Sequence, residues 1–126
     1  MLTAEERKRH LTIIQNDDTR AAFHHLVEQT AHHGLVLSGN TGEVAAVRLH
    51  DEAGRYLFSW ITNQNHLLFY IRKPALKVAR QLAPDASADL TKVNENPKGE
   101  TTVRIEGKAD AQKLTEWLMP RLPLPH

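Results

Sequence analysis

The chain has 126 residues, 40% of them hydrophobic and 25% charged, enough for one domain with its own core and too apolar for a disordered segment. Without cysteine it has no disulfide, no thiolate metal site and no thiol nucleophile, and 16 basic against 15 acidic residues give a net charge of +1, lacking the basic excess usual in an obligate nucleic-acid binder. Thr3 to Arg9 is charged where a secretory signal carries its apolar run, and no stretch approaches the roughly 20 apolar residues of a membrane span, so a soluble cytoplasmic chain with no membrane partner is expected.

Thr3-Ala4-Glu5-Glu6 has the form of a capping box and opens a helix running to about Gln15, with Leu11 and Ile14 as a thin apolar stripe. Asn16 to Thr19 reads as a break and a new cap. The second helix, from about Arg20 to His33, aligns Phe23, Leu26, Val27 and Thr30 on one face, and Gly34 is placed to end it. From Leu35 the period changes to two. Strands are expected over Leu35 to Leu37, Glu43 to Leu49, Arg55 to Thr62 and His66 to Ile71, separated by Gly- and Asn-rich turns in the manner of an antiparallel meander.

In the third of these strands Tyr56, Phe58 and Trp60 alternate with Leu57, Ser59 and Ile61. Pro74 then suits the first position of a third helix carrying Ala75, Leu76, Ala79 and Leu82 up to Pro84. Asp85 to Gly99 reads as a long loop, Thr101 to Glu106 as a strand, and a last helix starts near Lys108 with Ala111, Leu114, Trp117 and Leu118 inward, stopped by Pro120.

The order α-α-β-β-β-β-α-β-α indicates a single α+β domain over 1–126: a helical N-terminal unit (1–34), a sheet with two helices (35–119) and an extended tail (120–126). The sheet is expected to be antiparallel, of about five strands, with the helices mainly on one face. The second half, two strands, a Lys-Pro helix, a strand and a helix, resembles in element order the layout of small DNA-binding-like α+β domains of the MmcQ/YjbR type. The resemblance rests on no shared signature residue, and no site is carried across.

The eight histidines raise the question of a metal site. His24-His25 and His32-His33 share one helix, but His25 and His32 stand about 10 Å apart along its axis, too far for one ion, and the spacings of helical zinc sites are missing. A polar helix face, with some pH sensitivity below about 6.5, is the simpler reading. Among possible nucleophiles, Ser38, Ser59 and Ser87, none lies in Gly-x-Ser-x-Gly. Ser38-Gly39-Asn40-Thr41-Gly42 lacks the lysine and following helix of a phosphate loop and reads as a hairpin turn.

Glu106-Gly107-Lys108 has the tripeptide of one nuclease class without an upstream Asp to complete it. Neither cofactor nor metal is expected.

The least ordinary segment is Trp60 to Arg80, where Arg72, Lys73, Lys77 and Arg80 follow an aromatic strand pair. Lys73, Lys77 and Arg80 recur at the spacing of one helix face, the pattern of a patch that tracks phosphates. A meander apolar on both faces also suggests a homodimer that buries Tyr56, Phe58 and Trp60. These features point to a non-enzymatic binding or accessory module that contacts a macromolecule, nucleic acid among the candidates, through the third helix and adjacent sheet. The alternatives are a small protein-binding inhibitor or immunity-type protein using acidic turns at Asp51-Glu52 and Asp85/Asp89, and a metal-dependent nuclease centred on Glu106 and Lys108.

Overall fold

A computed structural model describes residues 1–126. Helix α1 (Ala4–Ile13) starts at the expected capping box: the Thr3 hydroxyl accepts from the Glu6 N–H at 3.1 Å, and the Glu6 carboxylate accepts from the Thr3 N–H at 2.9 Å. Asn16 caps α2 (Asp17–His32) by accepting from the Thr19 N–H at 2.7 Å. Such caps satisfy donors that a helix start leaves orphaned, each stabilising it by about 1 kcal/mol. Gly34, at φ +86, ends α2 as expected: its N–H reaches the Ala31 carbonyl and the Leu35 N–H the Thr30 carbonyl, both at 3.1 Å.

The strands are β1 (Val36–Gly39), β2 (Ala46–His50), β3 (Tyr56–Thr62), β4 (Leu67–Ile71), β5 (Val93–Glu95) and β6 (Thr101–Ile105). They form one six-stranded sheet in the order β1-β2-β3-β4-β6-β5, with every neighbouring pair antiparallel. Three further helices are α3 (Lys73–Val78), α4 (Leu82–Asp89) and α5 (Lys108–Leu118), the last followed by a 3-10 turn, Met119–Arg121. The class is α+β, as expected.

The interval from Pro74 to Gly99 differs from expectation. The single third helix is two short ones, because Ala79 leaves the helical region (φ −138, ψ 74) and ends α3 after six residues. Pro84 does not stop a helix; it sits in the first turn of α4, where its missing N–H has no partner to lose. The second half of the expected loop forms β5 and a tight hairpin into β6.

Residues Val47, Trp60, Phe69 and Val103 make one inward row across the central strands, and Leu49, Phe58 and Ile71 make another. Phe23 and Leu26 of α2 and Leu114 and Leu118 of α5 close over these rows, all in one buried cluster. The Phe23 ring stands edge-on to Trp60 at 5.9 Å. Pairing of β2 with β3 slips by one residue between Leu49 and His50: Leu49 faces Phe58 but His50 faces Tyr56, so Leu57 is an extra residue, a β-bulge. Leu57 and Phe58 are therefore both buried, at 1% and 0% exposure, while Tyr56 stays half-exposed.

The bulge overturns the expectation that Tyr56, Phe58 and Trp60 share a face available to a partner. Phe58 and Trp60 are fully buried in the domain's own core and can form no interface. The tail also differs from a free extended segment. Leu124 is buried, and Arg55, ion-paired to Asp51 at 2.7 Å, donates to the carbonyls of Leu124 and Pro125 at 3.1 and 2.6 Å.

The first and last thirds of the chain are clasped together. The Asp18 carboxylate accepts from the Lys108 N–H at 3.0 Å, capping α5 from across the fold, and the Thr19 hydroxyl donates to the Glu106 carbonyl at 2.7 Å. A Cβ at Gly107 would displace the Asp18 carboxylate, so the cap depends on glycine there.

His10 is buried against the end of β3, stacked on Phe23 at 5.2 Å, with Nδ1 2.6 Å from the Thr62 hydroxyl. Burial, and then the nearby Arg9 charge, push its pKa down to about 4 from 6.5. The unfolded chain therefore binds this proton more readily between those values, and stability present above pH 6.5 is lost as pH falls toward 4, by about 3 kcal/mol in full. His25 and His66 are pushed down in the same sense by burial. Urea unfolding midpoints should fall steadily from pH 7 to pH 4.5, and His10→Gln should flatten most of that slope while lowering stability at pH 7.

Candidate functional site

Helices α2 and α5 close over the inward rows, and the other side of the sheet holds the most chemically distinctive surface of the molecule. Register brings Ser38, Arg48, Ser59, Tyr70, Thr102 and Asn94 into a single outward row crossing all six strands. Ser59 is the smallest side chain in the middle of that row, flanked by Arg48 on β2 and Tyr70 on β4. A short side chain between two long ones makes a depression. The resulting cleft has a volume of about 670 Å³, within the range of small-ligand sites.

The bulge supplies one wall. It turns Tyr56 outward, where the Arg72 guanidinium lies 3.6 Å from its ring centroid, His50 stacks on it at 5.1 Å and Arg48 stands at 5.9 Å. Arg72 is fixed by a second contact, donating to the Tyr56 carbonyl at 2.6 Å, and its Nε is 3.8 Å from Glu100. A cation held over an aromatic face at this distance is favourable.

The β5–β6 hairpin supplies the opposite wall. In Asn96-Pro97-Lys98-Gly99 the Asn96 side-chain carbonyl accepts from the N–H groups of Lys98 and Glu100 at 3.1 and 2.9 Å, while its amide donates to Glu100 Oε1 at 3.0 Å. Gly99 closes the turn at φ +83, with the stem of Lys73 packed against it. The turn chemistry thus fixes Lys98 and Glu100 at the rim. Arg48, Lys73 and Lys98 are exposed there, and none has a carboxylate within ion-pair distance, whereas Arg72 shares Glu100. Burial, and secondarily the Glu100 charge, raise the Tyr70 pKa, keeping its hydroxyl protonated and able to donate.

Of the residues expected to form a basic patch, Arg72 and Lys73 line this cleft and Lys77 and Arg80 do not. For Arg80 the break at Ala79 is the cause, since it leaves Arg80 in the turn between α3 and α4, outside the helix face assigned to it. Tyr56 is in the site; Phe58 and Trp60 lie beneath the sheet. Arg48, Tyr70, Asn96, Lys98 and Glu100 were not anticipated. Their signal is modest: Arg48, Ser59 and Tyr70 are outward positions of their strands, and Asn-Pro-Lys-Gly has the composition of a tight turn.

The other constellations are occupied locally. His25 lies 3.0 Å from the Thr115 hydroxyl, and no three His, Asp or Glu side chains gather as a metal-ligand set. Glu106 pairs with Arg104 at 2.9 Å and Lys92 at 3.4 Å. The acidic turns meet separate partners, Asp51 with Arg55 and Asp85 and Asp89 with Arg121. The apolar surplus behind an expected homodimer is reduced to Met1, Val36 and Val44, the exposed large hydrophobic residues. No helix is long and apolar enough to cross a membrane.

Replacing Gly99 by alanine forces an L-residue into the left-handed region and presses a methyl toward Lys73 Cε, 3.3 Å from the new Cβ. Gly99→Ala should destabilise the domain by about 1–2 kcal/mol in chemical denaturation. No protein-family model, curated protein or solved structure matches this chain.

Proposed function

We propose that the domain is a binding module for single-stranded nucleic acid, which it takes up on the uncovered face of its sheet. The observation that carries this reading is the convergence of Arg48, Lys73 and Lys98, free of carboxylate partners, around a cleft walled by Tyr56 and Tyr70. Unpaired cations on a rim suit phosphates, and aromatic side chains with hydrogen-bonding groups on a sheet suit bases that are not stacked in a duplex. Duplex reading by α3 has less support, since that helix is six residues long and Arg80 lies outside it. Lys77 and Arg80 are left as outlying cations that a longer strand can reach.

Fluorescence anisotropy with a labelled mixed-sequence 12-mer, as DNA and as RNA, tests the proposal over a salt series. Wild-type affinity should fall with salt. The triple variant Arg48→Ala, Lys73→Ala, Lys98→Ala should bind more weakly and lose about 2 from the log–log salt slope, the worth of three single-strand phosphate contacts. Lys77→Ala with Arg80→Ala should change the slope by less than half as much. Absence of wild-type binding at low salt, or an unchanged slope in the triple variant, would overturn the reading.

A further inference from the structure

Glu100 is out of place in a site that only holds phosphate. A carboxylate repels phosphate, yet this one is held at the cleft by deliberate geometry: its N–H is tied to Asn96 Oδ1 at 2.9 Å and its Oε1 to Asn96 Nδ2 at 3.0 Å. Its side chain is 16% exposed. Oε2 has only Arg72 Nε nearby, at 3.8 Å, beyond hydrogen-bond range. An acceptor with unused lone pairs therefore lines a cleft whose charged side chains are otherwise all cations: Arg48, Arg72, Lys73 and Lys98.

Resting on the nucleic-acid reading above, we infer that Glu100 is a specificity-determining residue that reads the edge of one unpaired base in the cleft, and that guanine is the base it favours. An ionised carboxylate only accepts, so it selects a base by the N–H groups that base presents. Guanine offers two adjacent donors, N1–H and the exocyclic amine, which match two carboxylate oxygens. Adenine and cytosine offer one exocyclic amine beside a ring acceptor. Thymine and uracil offer a single N–H between two carbonyls, which a carboxylate repels. Ser59 lies opposite Tyr70 across the cleft floor, and Tyr70 gives a flat wall with a hydroxyl that stays protonated. The rim cations Lys73 and Lys98 stand where flanking phosphates reach them.

The test uses the whole chain and four labelled nonamers, each with one central guanine, inosine, adenine or cytosine in a run of thymines, beside the all-thymine strand. Wild type should bind the guanine strand about tenfold tighter than all-thymine, the worth of one good bidentate base contact. Inosine, which lacks the exocyclic amine, should fall between them. Glu100→Gln should erase the preference for guanine over inosine and all-thymine while keeping the salt slope of wild type. A fold check by circular dichroism accompanies it, and Glu100→Asp, which retains the charge on a shorter stem, should keep part of the preference. Equal binding of all five strands by wild type, or a guanine preference that survives Glu100→Gln, overturns the inference and leaves the binding reading standing. Failure of every strand to bind at low salt overturns both.

Discussion

The extra residue at Leu57 decides what the two faces of the sheet are. A regular β3 would carry Tyr56, Phe58 and Trp60 on one side, committing all three aromatics to the core or all three to solvent. With the bulge, Leu57 and Phe58 are both buried, and the ring of Tyr56 emerges on the far side under Arg72. The core gains a leucine that meets the C-terminal tail, and the open face gains the aromatic wall of the cleft. Removing the bulge would remove both together, so packing and binding surface are set by one irregularity. Bulges re-aim side chains in this way wherever a strand must serve two surfaces.

A net charge of +1 conceals how unevenly charge is used. Several acidic groups on the helices and turns are ion-paired at short range: Asp17 with Arg20, Asp51 with Arg55, Asp89 with Arg121, and Asp110 with Lys92. These exposed or half-exposed pairs contribute little stability each. Their effect is to leave Arg48, Lys73 and Lys98 as the charges without a local carboxylate on the face that the helices do not cover. Potential at a surface follows such local imbalance, and the chain's total charge is a poor guide to it.

Much of the frame is legible in the sequence because its signals are local. Thr3 with Glu6, Asn16 and Gly34 mark the limits of the first two helices through hydrogen bonds made within a few residues. The central strands follow from period-two alternation. What escapes is whatever depends on a partner distant in sequence. Tyr56 to Ile61 is apolar at almost every position, so its phase is ambiguous and the slip against Leu49 and His50 leaves no trace. Asp85 to Asp89 looks like the start of a loop because Ser and Asp are poor helix formers and Pro84 precedes them; Leu82 and Ala86 hold it in α4 by packing into the core. The cleft is less legible still. Arg48, Ser59 and Tyr70 become neighbours only through register, and Glu100 reaches them only because Asn96 and Gly99 fold the hairpin back.

The clasp between the starts of α2 and α5 bears on how the chain folds. Asp18 and Lys108 are 90 residues apart, as are His25 and Thr115, and Thr19 and Glu106 are 87 apart. Few local contacts can stand in for these, because α5 begins at Gly107 with no side-chain cap of its own. The last helix is completed only when the first part of the chain is already in place. A topology with such separations closes large loops before it gains their reward, which slows folding relative to a helical bundle of the same size. It also makes the helical N-terminal unit and the sheet a single cooperative body, in which opening either end exposes the other.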